Sequence, residues 1–294
     1  MFANAVTLAR NFTKPLVISH RKYDGSCAAG MGTYVIINDE GWFVTAFHVI
    51  RQITDLSNAQ SAYYTLLTDR DKVTNDSNLT GHQKEKRLKQ MSISKDAITN
   101  SSTWLGEDKW TLNPQYHVLP EIDLAVCKID NFHKSEIPVY PKFKNPDSKM
   151  EPGTSLCKLG YPFYSVTPAF DVSKGFLLPG PMPIPLFPIE GIFARNIVMQ
   201  APDSMPHPLM YIETSSPGLR GQSGGPTFDI EGNIWAIQSQ TQHYKLDFGD
   251  SNFNGSSTEK EHLSNQYFNA GWGIHSKTIV SFLKALNISF ELSA

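Results

Sequence analysis

Gly221-Gln222-Ser223-Gly224-Gly225-Pro226 sets one serine among three glycines and closes the run with a proline. Glycines on both sides open backbone conformations that other residues avoid, and they clear space for a carbonyl to approach the hydroxyl. They also let the backbone N–H groups of Gly221 and Ser223 point at one spot where negative charge on an oxygen can be held. A serine hydroxyl is a weak nucleophile until a base takes its proton, so the chemistry also needs an imidazole and a carboxylate to orient it. Both occur in suitable contexts. His48 ends the apolar run Gly41-Trp42-Phe43-Val44-Thr45-Ala46-Phe47-His48, and Asp123 opens Asp123-Leu124-Ala125-Val126-Cys127-Lys128-Ile129. Acyl transfer through Ser223, with His48 as base and Asp123 holding the imidazole, is the reaction these residue types allow.

Such side chains need rigid supports. Residues 31–38 read as a strand, Asp39-Glu40-Gly41 as a hairpin turn and 42–46 as the returning strand, which leaves His48 just past a strand end. An acid followed by an apolar run places Asp123 at the lip of a core strand. Gly221-x-Ser223-x-Gly225 also satisfies the nucleophile elbow of α/β-hydrolases, but that elbow needs a helix after the serine. Here Thr227-Phe228-Asp229-Ile230 and Glu231-Gly232-Asn233 read as strand and turn, so the elbow is rejected. His20, His82, His117, His133, His207, His243, His262 and His275 lack comparable surroundings and read as structural or solvent-facing.

Taken in order, Thr45-Ala46-Phe47-His48-Val49, Ile122-Asp123-Leu124-Ala125-Val126 and Gly221-Gln222-Ser223-Gly224-Gly225-Pro226 resemble the catalytic blocks of chymotrypsin-fold serine peptidases. The similarity is greatest to the bacterial trypsin-like branch that includes the high-temperature-requirement (HtrA) proteases. Gly30-Met31-Gly32, Gly160-Tyr161-Pro162-Phe163 and Thr214-Ser215-Ser216 extend it, so that it spans residues 26–286. The resemblance implies an all-β fold of two six-stranded antiparallel Greek-key β-barrels packed together. Within one peptidase unit over 1–294, the barrels would occupy 15–140 and 150–274, closed by a helix over 275–287.

The same resemblance implies His48, Asp123 and Ser223 as the catalytic residues, with the Gly221 and Ser223 amides as the oxyanion hole. It lines the primary pocket with Ser216 and Pro217, with Gln238, Ser239, Gln240 and Thr241, and with Gly271, and it has Ser239 to Thr241 pair with substrate backbone as an added strand. None of these is acidic, so the expected preference is a small or medium uncharged residue before the scissile bond. The expected partner is a protein or peptide substrate; no cofactor and no metal is implied. Secreted members carry an aspartate before the serine that pairs with a new N-terminal ammonium, whereas Gln222 here has no charge to offer. A catalytically silent peptide-binding module that keeps the fold is the alternative.

Composition fits a globular enzyme. A net charge of −2 over 294 residues gives no footprint for nucleic acid, and Lys84-Glu85-Lys86-Arg87-Leu88-Lys89 reads as a solvated helix face. No run approaches the length of an apolar membrane span. Three cysteines, Cys27, Cys127 and Cys157, are too few and too odd for a disulfide framework, and the N-terminus shows no basic region followed by an apolar core. Together these point to a bacterial cytoplasm.

Three segments match nothing in the family. Residues 69–102 are polar, with a short helix expected at 83–91, and offer a candidate docking site. Residues 175–188 carry prolines at 179, 181, 183, 185 and 188 that disfavour regular structure; their apolar side chains must pack on the second barrel or form a recognition surface. Residues 246–266 are rich in Gly, Ser and Asn and stand near the substrate strand as a candidate lid. Finally, 276–286 carries one apolar helical face with Ser276 as the expected N-cap. Only eight residues follow it, so no PDZ domain is expected.

Overall fold

The computed structural model describes residues 1–180, 182–200, 206–246 and 266–294. Most of the expected lid lies outside the described residues, as does Pro181. Strands β1 (Thr13–Lys22), β2 (Cys27–Ile36), β3 (Trp42–Ala46), β4 (Ile98–Trp104), β5 (Thr111–Leu112), β6 (His117–Leu119) and β7 (Leu124–Asp130) form one sheet of seven strands, ordered β4-β1-β2-β3-β7-β5 with β6 also on β7. The second half holds β8 (Lys142–Phe143), β9 (Ser155–Gly160), β10 (Ala169–Asp171), β11 (Gly175–Leu177), β12 (Phe187–Val198), β13 (Met210–Thr214), β14 (Pro226–Phe228), β15 (Ile234–Lys245), β16 (Tyr267–His275) and β17 (Glu291–Leu292). Six of these close a ring, β14-β9-β12-β13-β16-β15 and back to β14; β8 and β17 extend it in parallel, and β10–β11 is a separate hairpin. The fold is the trypsin-like double barrel.

Local sequence explains the hairpin that carries the histidine. Asn38 Oδ1 accepts from Glu40 N at 3.1 Å and Trp42 N at 3.2 Å, and Gly41 takes φ +82°, a turn that needs glycine. Phe43, Val44 and Ala46 then bury against the core beside Tyr34 and Ile36. The register of β3 on β7, ending with Ala46 opposite Leu124, puts Phe47 and Asp123, the residues just beyond the two strands, side by side at the sheet's edge.

Four helices are described. Helix α1 (Ala3–Phe12) buries Ala5, Ala9 and Phe12. Helix α2 (Phe47–Asn75) begins on the residue before His48 and runs 29 residues. Helix α3 (Gly81–Gln90) falls where a short helix is expected, started by a capping box between Thr80 and Gln83. The segment 69–102 is therefore an ordered excursion: Arg70 Nη1 donates to the Leu88 carbonyl at 3.1 Å, and Ser101 Oγ ties β4 to Gln60 on α2 at 2.7 Å.

Helix α4 (Ser276–Ala285) buries Ile279, Val280, Phe282 and Leu283, each worth about 1.5–3 kcal/mol of transfer free energy. Its N-cap is His275, not Ser276: the imidazole Nδ1 accepts from Lys277 N at 2.9 Å, and Ser276 is the first helical residue. In the proline-rich segment, strands reach in from both ends at Leu177 and Phe187, and Ile184 is buried with Val17 and Tyr161. Pro188 itself lies in β12, opposite Leu159. No helix among the described residues is long and apolar enough to cross a membrane.

Candidate active site

Asp123 and His48 meet at the end of the β3–β7 ladder. Phe47 N donates to the Asp123 carbonyl at 2.7 Å, which aligns the start of α2 with the start of β7. Asp123 follows a 3-10 turn, Pro120–Ile122, and takes φ 60°, ψ 35°, a left-handed conformation that Asp tolerates better than most residues. Its carboxylate then bridges two groups of His48. Oδ1 accepts from the His48 backbone N–H at 2.8 Å, capping the first turn of α2, and Oδ2 lies 2.8 Å from ring Nδ1. The positive end of a long helix suits this carboxylate.

A third group completes the support. Ser239 donates its hydroxyl to Asp123 Oδ2 at 2.6 Å. Ser239 sits where the β15–β16 register shifts between Gln238 and Gln240, and that bulge re-aims its side chain toward the first barrel. Burial works to raise the Asp123 pKa, but the hydrogen bond and charge of His48 and the hydrogen bond of Ser239 more than offset it, leaving the carboxyl below its ordinary value.

The Ser223 loop is seated on the first barrel. Thr33 N donates to the Ser223 carbonyl at 2.8 Å and Thr33 Oγ1 to the Gly221 carbonyl at 2.6 Å, while Thr45, three residues before His48, holds the Thr33 carbonyl at 2.7 Å. A side chain at Gly32 would meet both Val49, next to His48, and the Ser223 carbonyl. Gly224 has φ +87°, and a Cβ there would collide with the Thr33 carbonyl and Thr45 hydroxyl. Gly224 N donates to Gln238 O at 2.7 Å and Gln238 N to Gly225 O at 2.8 Å, stitching the loop to β15. Buried Gln222 accepts from Leu219 N through Oε1 at 3.0 Å, so its side chain shapes the loop internally.

Among the described residues the backbone N–H groups of Gly221 and Ser223 have no acceptor, and the Ser223 hydroxyl makes no hydrogen bond, including none to His48. Unliganded sites commonly hold such contacts long until substrate arrives.

The expected pocket residues do converge beside this loop. Gly218 N donates to Thr241 Oγ1 at 3.0 Å, and Thr241 Oγ1 donates to the Gly218 carbonyl at 2.6 Å, so one hydroxyl clasps the two walls. The Gln238 side chain lies inside, with Nε2 donating to Gln240 O at 2.9 Å and Trp272 O at 3.2 Å. Behind them stands a residue that sequence reasoning missed. Lys158, 1% exposed, donates from Nζ to the Ser216 carbonyl and, at 3.2 Å, to the Pro217 carbonyl, against the face of Gly271. Burial alone depresses its pKa to about 7, and no carboxylate among the described residues pairs with it. The signal was a lysine inside the otherwise apolar strand Ser155-Leu156-Cys157-Lys158-Leu159-Gly160. The role of Ser239 toward Asp123 was missed as well.

Cys127 and Cys157 are buried free thiols, with burial pushing the Cys157 thiol up to about 12. Among the described residues no three His, Cys, Asp or Glu side chains cluster as a metal site.

Comparison with known proteins adds a family. The model described as "Trypsin-like peptidase domain" matches residues 30–237, more than half of the chain. Similar solved structures include the active form of the Rv3671c protease from M. tuberculosis, 12% identical with a TM-score of 0.49, covering 98% of this chain and 86% of that one. The HtrA-type protease AlgW with a tripeptide is 18% identical with a TM-score of 0.47, covering 97% of this chain and 63% of that one. No curated protein matches the sequence.

Proposed function

The chain belongs to the trypsin-like peptidase family, a family of serine endopeptidases, and we propose that His48, Asp123 and Ser223 form its catalytic triad. The observation that carries this reading is the bridge from Asp123 to both the ring and the backbone of His48, at the edge where the Ser223 loop docks. Asp123 fixes the imidazole with Nδ1 inward, which leaves Nε2 to take the Ser223 proton. Ser223 Oγ then attacks the peptide carbonyl, and the unengaged amides of Gly221 and Ser223 receive the developing oxyanion. His48 returns the proton to the leaving amine, and water hydrolyses the acyl-enzyme by the same path. Extended substrate backbone would add to β15 at Ser239 to Thr241.

The open Ser223–His48 contact is the one observation favouring a silent peptide binder. The two unpaired amides argue the other way, since peptide capture has no use for them at this position.

Hydrolysis of a denatured protein substrate by the wild type, Ser223→Ala and His48→Ala tests the proposal. The expected result is cleavage by the wild type and a loss of about a thousandfold or more in both variants, with folding unchanged. Cleavage by Ser223→Ala at near wild-type rate would refute it.

A further inference from the structure

Resting on the peptidase reading above, we infer that Lys158 sets the primary specificity and that the enzyme cleaves after acidic residues. This replaces the uncharged preference expected from the residues lining the pocket walls.

An ammonium taken out of water needs either a counter-ion or a full set of acceptors. Lys158 has three donors, and two are used, on the carbonyls of Ser216 and Pro217. No carboxylate among the described residues reaches it; the buried acid of the same barrel, Glu213, is already bound by Arg195, Tyr244 and Trp272. Further polar atoms on residues that surround it are also unsatisfied. Ser216 Oγ and Gln238 Oε1 are buried without a partner, and so is Oγ1 of Thr227, the cross-strand neighbour of Lys158. Orphaned groups on the residues around one buried ammonium call for a polar partner.

Place and chemistry agree on what that partner is. The ammonium sits at the inner end of the slot between Pro217–Gly218 and Gln238–Thr241, the two segments that flank the Ser223 loop. Gly271 forms the wall there, and any side chain on it would strike the Lys158 Nζ. A substrate side chain entering the slot, once the Thr241 clasp on Gly218 opens and the Gln238 side chain turns aside, therefore ends at a cation with a free donor. A carboxylate satisfies that donor through a charge-assisted hydrogen bond, an amide satisfies it only in part, and a lysine or arginine would meet like charge.

Peptides identical except for Glu, Asp, Gln, Leu or Lys before the scissile bond test this on the wild type, Lys158→Met and Lys158→Arg, with fluorophosphonate labelling run in parallel. Glu against Gln isolates the charge at constant shape. The expected result is kcat/KM for Glu or Asp at least about tenfold above Gln, retained in Lys158→Arg and erased in Lys158→Met by loss on the acidic peptides. A labelled wild type that prefers Gln or Leu overturns the inference and leaves the peptidase reading standing, whether or not the variants fold. A wild type that neither labels nor cleaves any peptide removes both.

Discussion

Ser239 donates its hydroxyl to Asp123 Oδ2 at 2.6 Å, the same oxygen that holds the His48 ring, so the second barrel steadies a carboxylate supplied by the first. Positioning of His48 thus depends on how the barrels sit against each other as well as on the β3–β7 register.

Ser239→Ala removes that brace without touching the backbone of β15 proposed to pair with substrate. Steady-state kinetics should show kcat lowered about tenfold, as expected for one hydrogen bond to a charged group, with KM little changed. A selective rise in KM would mean that the side chain serves substrate binding instead.

Asp123→Asn keeps an oxygen able to cap α2 but can present an N–H where His48 Nδ1 needs an acceptor. Activity should fall about a thousandfold or more while circular dichroism and the melting temperature change little. Loss of the fold together with the activity would make Asp123 a structural residue.

The segments that hold the proposed triad were legible because each depends on a short stretch of chain. Asn38 to Gly41 makes a turn on its own, the apolar residues of β3 and β7 alternate into a core, and only glycine suits Gly224, so His48, Asp123 and Ser223 could be read locally. The 29-residue α2 was not legible in full: Val49 and Ile50 are its only fully buried residues, Ile53 and Leu56 are only partly buried against the core, and the later turns lean on β4 through Gln60 and on α3 through Arg70, contacts that the tertiary fold alone supplies. The choice of His275 over Ser276 as cap depends on which residue keeps extended dihedrals at the end of β16, a tertiary matter. Lys158 was hidden because its meaning comes from Ser216, Pro217 and Gly271, segments distant in sequence.

Gly224→Ala should abolish catalysis and lower stability by about 3 kcal/mol or more, because φ +87° and the Thr33 carbonyl both exclude a Cβ. Urea denaturation checks the stability and peptide hydrolysis the activity. A variant with wild-type values would mean that the Ser223 loop is not fixed against β2 and β3.

Two buried groups predict how stability depends on pH. The His275 pKa is lowered to about 4 by burial, with the Lys277 charge adding to it, so the unfolded chain takes up this proton first on acidification. Stability should fall by about 3 kcal/mol as pH drops from 6.5 to 4, and His275→Asn, which keeps a cap acceptor, should flatten that slope. Lys158 acts in the alkaline range. With its pKa lowered to about 7 while no substrate carboxylate faces it, the folded state has lost this proton between pH 7 and 10.5 while the unfolded chain keeps it, so its cost to stability shrinks as pH rises. Chemical denaturation of Lys158→Met should show a gain of order 4 kcal/mol at pH 6 that disappears toward pH 10. A gain independent of pH would mean that the lysine is not buried as a cation.

Reaction with a fluorophosphonate, followed by peptide mapping of the adduct, asks whether this chain holds a working nucleophile. A single adduct on Ser223, formed in the wild type and lost in Ser223→Ala and His48→Ala, is the result the triad requires. No adduct, or one on another serine that persists in His48→Ala, would contradict it.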